Sequence, residues 1–257
     1  MSAVMPSAAP SLEVRGPVAT LSLNRPGHAN RLSPDDLAAL RRHVEAVNQD
    51  ERVLVLRLVS RGKYFCSGYD ISSLADAEAP SSLYFGETID VIEQARPVTI
   101  AAVHGGVYGG GTDLCLACDF RIGAKAANMF MPATRLGLHF YPGGLRRYAS
   151  RLGLDVSKRL FLTAEKLDSA EMLRIGFLTD LVDDDQLAQR LDTLTGTLLD
   201  MAPIPLMGVK KHLNLIARGE LRREEIEERV RLSEASRDII EGAKAWSEKR
   251  APEFRGN

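Results

Sequence analysis

The sequence predicts an α/β fold of repeated β–β–α or β–α units around parallel strands, followed by a helical C-terminal region. Two near-continuous apolar runs of strand length, "VLVLRLVS" (53–60) and "VTIAAV" (98–103), are the mark of strands covered on both faces. "FRIGA" (120–124) is a third such run, and helical patterns separate the three. Beyond Gln186 the apolar spacing stays helical to the end.

The elements follow in order. "LEVRGPVATLSL" (12–23) alternates as a hairpin does, with Gly16-Pro17 at its turn. The polar loop "NRPGHANRLS" (24–33) ends in a helix start: Ser33 can cap, Pro34 suits the first position, and Asp35 and Asp36 complement the dipole. Leu37, Leu40, Val44 and Val47 then recur at helical spacing. "DVSKRLFLT" (155–163) reads as one helix, and "SAEMLRIG" (169–176) as another, capped by Ser169 and stopped by Gly176. "LTDLV" (178–182) is a short strand. Residues 1–10 read as a disordered leader without signal-peptide character, 11–200 as the core, and 201–257 as the helical region. There the charged run leaves a stripe of Leu221, Ile226, Val230 and Leu232, suited to packing against another subunit.

Composition excludes several classes. Lys plus Arg number 33 against 34 Asp plus Glu, so no global charge points to nucleic acid or a membrane. No run is apolar enough to span a bilayer, and a cytoplasmic location is expected. Cys115 and Cys118 spell C-x-x-C, but no second pair and no His at ligand spacing accompanies them. They read as small hydrophobes on a buried helix face, and neither a metal nor a cofactor is expected.

The chemistry concentrates in "VTIAAVHGGVYGGGTDLCLACD" (98–119), which runs strand, glycine-rich turn, helix. No Gly-Lys-Ser/Thr follows, so it is not a P-loop, and the placement does not fit a dinucleotide fingerprint. An oxyanion hole at a helix start near Gly110 survives, worth roughly 3–4 kcal/mol per donor. A second small-residue turn, Cys66-Ser67-Gly68, follows the strand at 53–60, so the two turns could converge on one carbonyl oxygen.

These segments, together with "LSLNRPGHANRLS", "GKYFCSGYDI" and "EGAKAWSEKRAPEF", resemble the crotonase superfamily, the enoyl-CoA hydratase/isomerase family, from about Leu12 to Phe254. The resemblance implies a right-handed ββα spiral core with a C-terminal helical trimerisation region, assembled as a homotrimer or dimer of trimers. It implies an acyl-CoA thioester substrate, whose oxygen is polarised by the backbone N–H groups of Ser67 and Gly110 so that an enolate can form. CoA would lie along Tyr69, Asp70, Ile71 and Gly109, with Arg25 on its phosphates and Phe254 over its adenine.

Two departures bear on the reaction. Hydratases of this family use two glutamates; here the first position is Asp113 and the second, in "PATRLGL" (132–138), is Ala133. One methyl group can take neither the acid nor the base role. The methylmalonyl-CoA decarboxylase type resembles the chain in carrying Asp at the first position and "PA" at the second. It differs in placing a His at Tyr69 and a Tyr at Phe140. Isomerase or decarboxylase chemistry is therefore expected over efficient hydration. Asp113, in an apolar surrounding, would carry the proton, with His139 or Tyr141 as replacements for the lost acid. Hydration, thioester hydrolysis and a silent CoA-thioester binding subunit are the alternatives.

Overall fold

The computed structural model describes residues 8–70 and 81–257. Its larger sheet has six strands in the order β1 (Ser11–Arg15), β2 (Val18–Leu23), β3 (Val55–Ser60), β5 (Val98–Val103), β7 (Phe120–Ala124), β10 (Asp180–Val182). The β1–β2 hairpin is antiparallel, and every later pair is parallel. The smaller sheet runs β4 (Tyr64–Cys66), β6 (Gly106–Tyr108), β8 (Asn128–Phe130), β9 (Lys166–Asp168). Strands β3, β5 and β7 of the large sheet are each followed by one of the small sheet (β4, β6 and β8), which gives the ββα spiral. The short strands β4, β6, β8 and β9 escape sequence reading because three residues carry no period.

Alternation along β5 shows why its run is apolar throughout. Val98, Ile100 and Ala102 pack with Leu191 and Leu198 on one face, and Ala101 and Val103 enter the main core on the other. Helices α1 (Pro34–Gln49), α2 (Ser82–Glu93) and α3 (Gly110–Ala117) contribute to that core. Helix α4 (Pro142–Leu152) packs against both α2 and α3. Helix α7 (Leu187–Leu199) covers the opposite face. The chain ends in α8 (Pro203–Ala217), α9 (Arg223–Glu234) and α10 (Arg237–Glu248).

Two local expectations are corrected. Residues 8–10 of the expected leader are anchored: the Ala8 N–H donates to Asn24 O, and buried Pro10 contacts His43 Nε2 through its carbonyl, while residues 1–7 of that leader lie outside the described residues. The cap of α6 (Ser169–Arg174) is Asp168, whose carboxylate accepts from the Glu171 N–H, while Ser169 turns its hydroxyl to Lys125 O. Ser33 does cap α1, and Asp36 completes a reciprocal capping box.

Candidate active site

Strands β4 and β6 are parallel neighbours, so the turns that follow them meet. They meet backbone to backbone. A Cβ on Gly68 (φ +88°) would lie 2.6 Å from Gly110 N, and one on Gly111 would lie 2.4 Å from Cys66 O. Glycine at 68 therefore serves twice, adopting the left-handed conformation and leaving the Gly110 N–H uncovered. Gly110 opens α3, where a first-turn N–H has no helical partner.

A cavity of about 330 Å³ lies over these turns. Its walls include Ser67, Tyr69, Phe85, Gly109, Gly110, Ala133, Leu138, His139, Phe140 and Tyr141. Three of its rings rest on glycines: a Cβ at Gly110 would strike Phe85, one at Gly86 would strike Tyr141, and one at Gly144 would strike Phe140. The rings also contact one another, Tyr69 with Phe85 at 5.5 Å and Phe85 with Tyr141 at 5.8 Å between centroids.

The amides of the first turn correct one expected donor. Ser67 N–H already donates to Ala29 O at 2.9 Å, so it is committed within the protein. The next residues pair with Leu32, whose N–H donates to Gly68 O (2.8 Å) and whose O accepts from Asp70 N–H (2.9 Å). In such parallel pairing the intervening residue, Tyr69, directs its own backbone groups to the opposite side. Gly109 N–H donates to Phe130 O at 3.1 Å.

Asp113 is fully buried and is not among the residues that line the cavity. Its surroundings are charged, not apolar. Arg147 donates to both carboxylate oxygens, from Nε at 2.9 Å and from the second terminal nitrogen at 2.6 Å. Tyr141 donates its hydroxyl to Oδ2 at 2.7 Å. Both oxygens are thus taken up by hydrogen bonds, and Tyr141 stands between Asp113 and the cavity. Arg147 also pairs with Asp90 and, at 3.3 Å, with Glu93. Burial alone would weaken the guanidinium's charge; Asp113, then Glu93 and Asp90, overcome it and hold Arg147 above its ordinary range. Burial, followed by the charge and hydrogen bond of Asp113, pushes the Tyr141 phenol well above its usual value.

The remaining expected residues divide. His139 is exposed at the rim, with Nδ1 2.8 Å from Phe140 O. Ala133 lies in the wall, 6% exposed. Arg25 is drawn to the start of α1, where its Nε donates to buried Asp36 at 2.7 Å, and it does not line the cavity. The cation that does is Arg31, paired at 3.2 Å with Asp70. Phe254 sits beside Gly242 and in a groove along α8, away from this chain's own cavity. Ile71 lies outside the described residues. Sequence reasoning missed Phe85 and Arg31, and offered Arg146 or Arg147 in "LRRY" only as polar groups that could replace the lost acid, not as the partner of Asp113.

The three cysteines are free and buried. Burial pushes the Cys66 and Cys118 thiols up to about 12, and Cys115 well above its ordinary value. The C-x-x-C is packing: Cys115 faces inward on α3 and Cys118 ends that helix. Among the described residues no group of three or more His, Cys, Asp or Glu is placed to hold a metal ion. No helix there is long and apolar enough to cross a membrane.

A family model described as enoyl-CoA hydratase/isomerase matches residues 13–257. The chain is 32% identical to the crotonyl-CoA hydratase of Syntrophomonas wolfei over 250 residues, covering 95% of this chain and 96% of that one. It is 28% identical to the carnitinyl-CoA dehydratase of Salmonella typhi over 254 residues, covering 94% and 96%. The crystal structure of an enoyl-CoA hydratase from Bacillus anthracis superposes with a TM-score of 0.84 at 27% identity, covering 97% and 100%.

Proposed function

The chain belongs to the enoyl-CoA hydratase/isomerase family of acyl-CoA enzymes, and from that premise we propose that it makes a thioester enolate by releasing carbon dioxide from a malonyl-type acyl-CoA. The carrying observation is the sequestered state of Asp113, held by Arg147 and Tyr141 behind the cavity wall. Hydration needs a base for water and an acid for the α-carbon. Of the two positions where the family's hydratases carry an acid, Asp113 is occupied by Arg147 and Tyr141, and Ala133 supplies none.

Decarboxylation needs no side-chain base. The bond between the α-carbon and the carboxylate breaks, its electron pair passes into the enolate, and carbon dioxide leaves. The developing charge on the thioester oxygen is met by two N–H groups, which we assign to Gly110 and to Tyr69 in place of Ser67. The Gly110 donor rests on its place at the head of α3, and the Tyr69 donor on the direction imposed by pairing with Leu32. Apolar walls strengthen such hydrogen bonds and disfavour the substrate carboxylate. The enolate then takes a proton at the α-carbon from water admitted at the rim beside His139.

A second reading, double-bond isomerisation, is favoured by His139, whose Nε2 could move a proton from the rim. CoA would lie outside the cavity mouth, near Arg31 and the turn at Tyr69 and Asp70. A homotrimer or dimer of trimers would cover the exposed Val209, Leu213 and Ile216 of α8 and Trp246 of α10; sedimentation analysis measures it. Mass spectrometry of products over malonyl-type, 2-enoyl and 3-enoyl thioesters separates the readings. Loss of carbon dioxide supports the first, isomerisation of 3-enoyl thioesters the second, and hydration alone contradicts both.

A further inference from the structure

The loop "NRPGHANRLS" sends only Arg31 to the cavity, yet it grips the donor turn at four points. Ser67 N–H donates to Ala29 O (2.9 Å), and the Cys66 thiol to Asn30 O (3.3 Å). Leu32 N–H donates to Gly68 O (2.8 Å) and Leu32 O accepts from Asp70 N–H (2.9 Å). To present these carbonyls the chain turns left-handed at two consecutive non-glycine residues, Ala29 (φ +50°) and Asn30 (φ +52°). Such a pair persists only where its surroundings over-determine it.

The Asn30 side chain supplies that constraint. It is 1% exposed, and its amide donates to Arg61 O and Tyr64 O, both at 2.8 Å. Its Oδ1 accepts from Arg25 N–H at 2.9 Å. One carboxamide therefore ties the loop to both ends of the β3–β4 connection, using both its donors and one acceptor position. Arg25 in turn anchors the loop to α1 through Asp36. Arg25, which the resemblance places on the CoA phosphates, here holds the loop backbone instead.

From this geometry we infer that Asn30 is a positioning residue, which fixes the 66–70 turn against the head of α3 so that Gly68 leaves the Gly110 N–H open to a bound thioester oxygen. The inference rests on the oxyanion reading proposed above. It follows that Asn30, which does not line the cavity, sets how strongly a bound thioester carbonyl is polarised. A residue that only stabilised the fold would not change that polarisation.

The test is infrared difference spectroscopy of acetyl-CoA labelled with ¹³C at the thioester carbonyl, bound to the full chain. The wild type is expected to shift the carbonyl band to lower frequency. Asn30→Gly, which accepts the left-handed backbone but removes all three side-chain bonds, should lose most of that shift. Asn30→Ser should lose part of it, and decides the matter should the glycine variant not fold. Ala29→Gly, which relaxes the backbone and keeps every Asn30 bond, should retain the whole shift. A wild-type shift retained in the Asn30 variants overturns the positioning role and leaves the oxyanion reading standing. No shift in the wild type overturns both.

Discussion

In front of the Tyr141 ring lies a cavity walled by Phe85, Leu138, Phe140 and Ala133; behind its hydroxyl lie Asp113, Arg147, Asp90 and Glu93. One tyrosine separates an apolar chamber from a buried ionic cluster. The charge of the Asp113–Arg147 cluster points away from the cavity, whereas Arg31, paired with Asp70, stands in the cavity wall. An acid placed two residues past a glycine turn is legible in sequence; which side of a tyrosine it occupies is not.

The largest effect should come from breaking the cluster. Arg147→Met would leave Asp113 as an unpaired buried charge and cost about 3–5 kcal/mol, read by urea unfolding. Adding Asp113→Asn should recover much of that loss by removing the charge. A single variant as stable as the wild type would show that the pair holds nothing.

On the cavity side, Gly68→Ala should lower turnover about 100-fold, since its Cβ would lie 2.6 Å from Gly110 N and its backbone is left-handed. Circular dichroism would establish that the variant is folded. By contrast, Asp113→Asn alone should reduce turnover less than about tenfold, because Asp113 acts on substrate only through Tyr141. Steady-state rates on one thioester compare the two. If Asp113→Asn is the more damaging, the carboxylate takes part in chemistry and the division at Tyr141 fails.

Much of this was readable beforehand, and the rest has identifiable reasons for being hidden. The long strands β3, β5 and β7 carry continuous apolar runs, and α1 carries its own start signal at Ser33. The two small-residue turns suggest an oxyanion site, and the resemblance implies Ser67 as one donor; no sequence pattern shows that Ala29 O takes its N–H. Arg147 lies 34 residues from Asp113 and meets it only because α4 packs on α3. Arg25 looked like a phosphate ligand because arginines commonly are; the neighbouring acid Asp36 claims it first.

At neutral pH the smallest effect concerns two buried cysteines, Cys66 in the first turn and Cys118 at the end of α3. In the unfolded chain their thiols ionise near 9.0, whereas burial holds Cys66 and Cys118 at about 12. The raised folded values mean the unfolded state loses protons first. Stability should therefore be insensitive to these groups below about pH 9 and fall as pH rises from there towards 12. Alkaline unfolding curves check the slope, and a thiol reagent at pH 8 should react only after denaturant is added.

The central claim is that backbone donors define the reaction, with no carboxylate offered to the cavity from positions 113 and 133. Its most direct test is the steady-state rate of the wild-type chain on crotonyl-CoA beside its rate on malonyl-type thioesters, with Gly68→Ala as the blank. The account predicts release of carbon dioxide well above that blank and hydration close to it. Rapid crotonyl-CoA hydration without decarboxylation would contradict it.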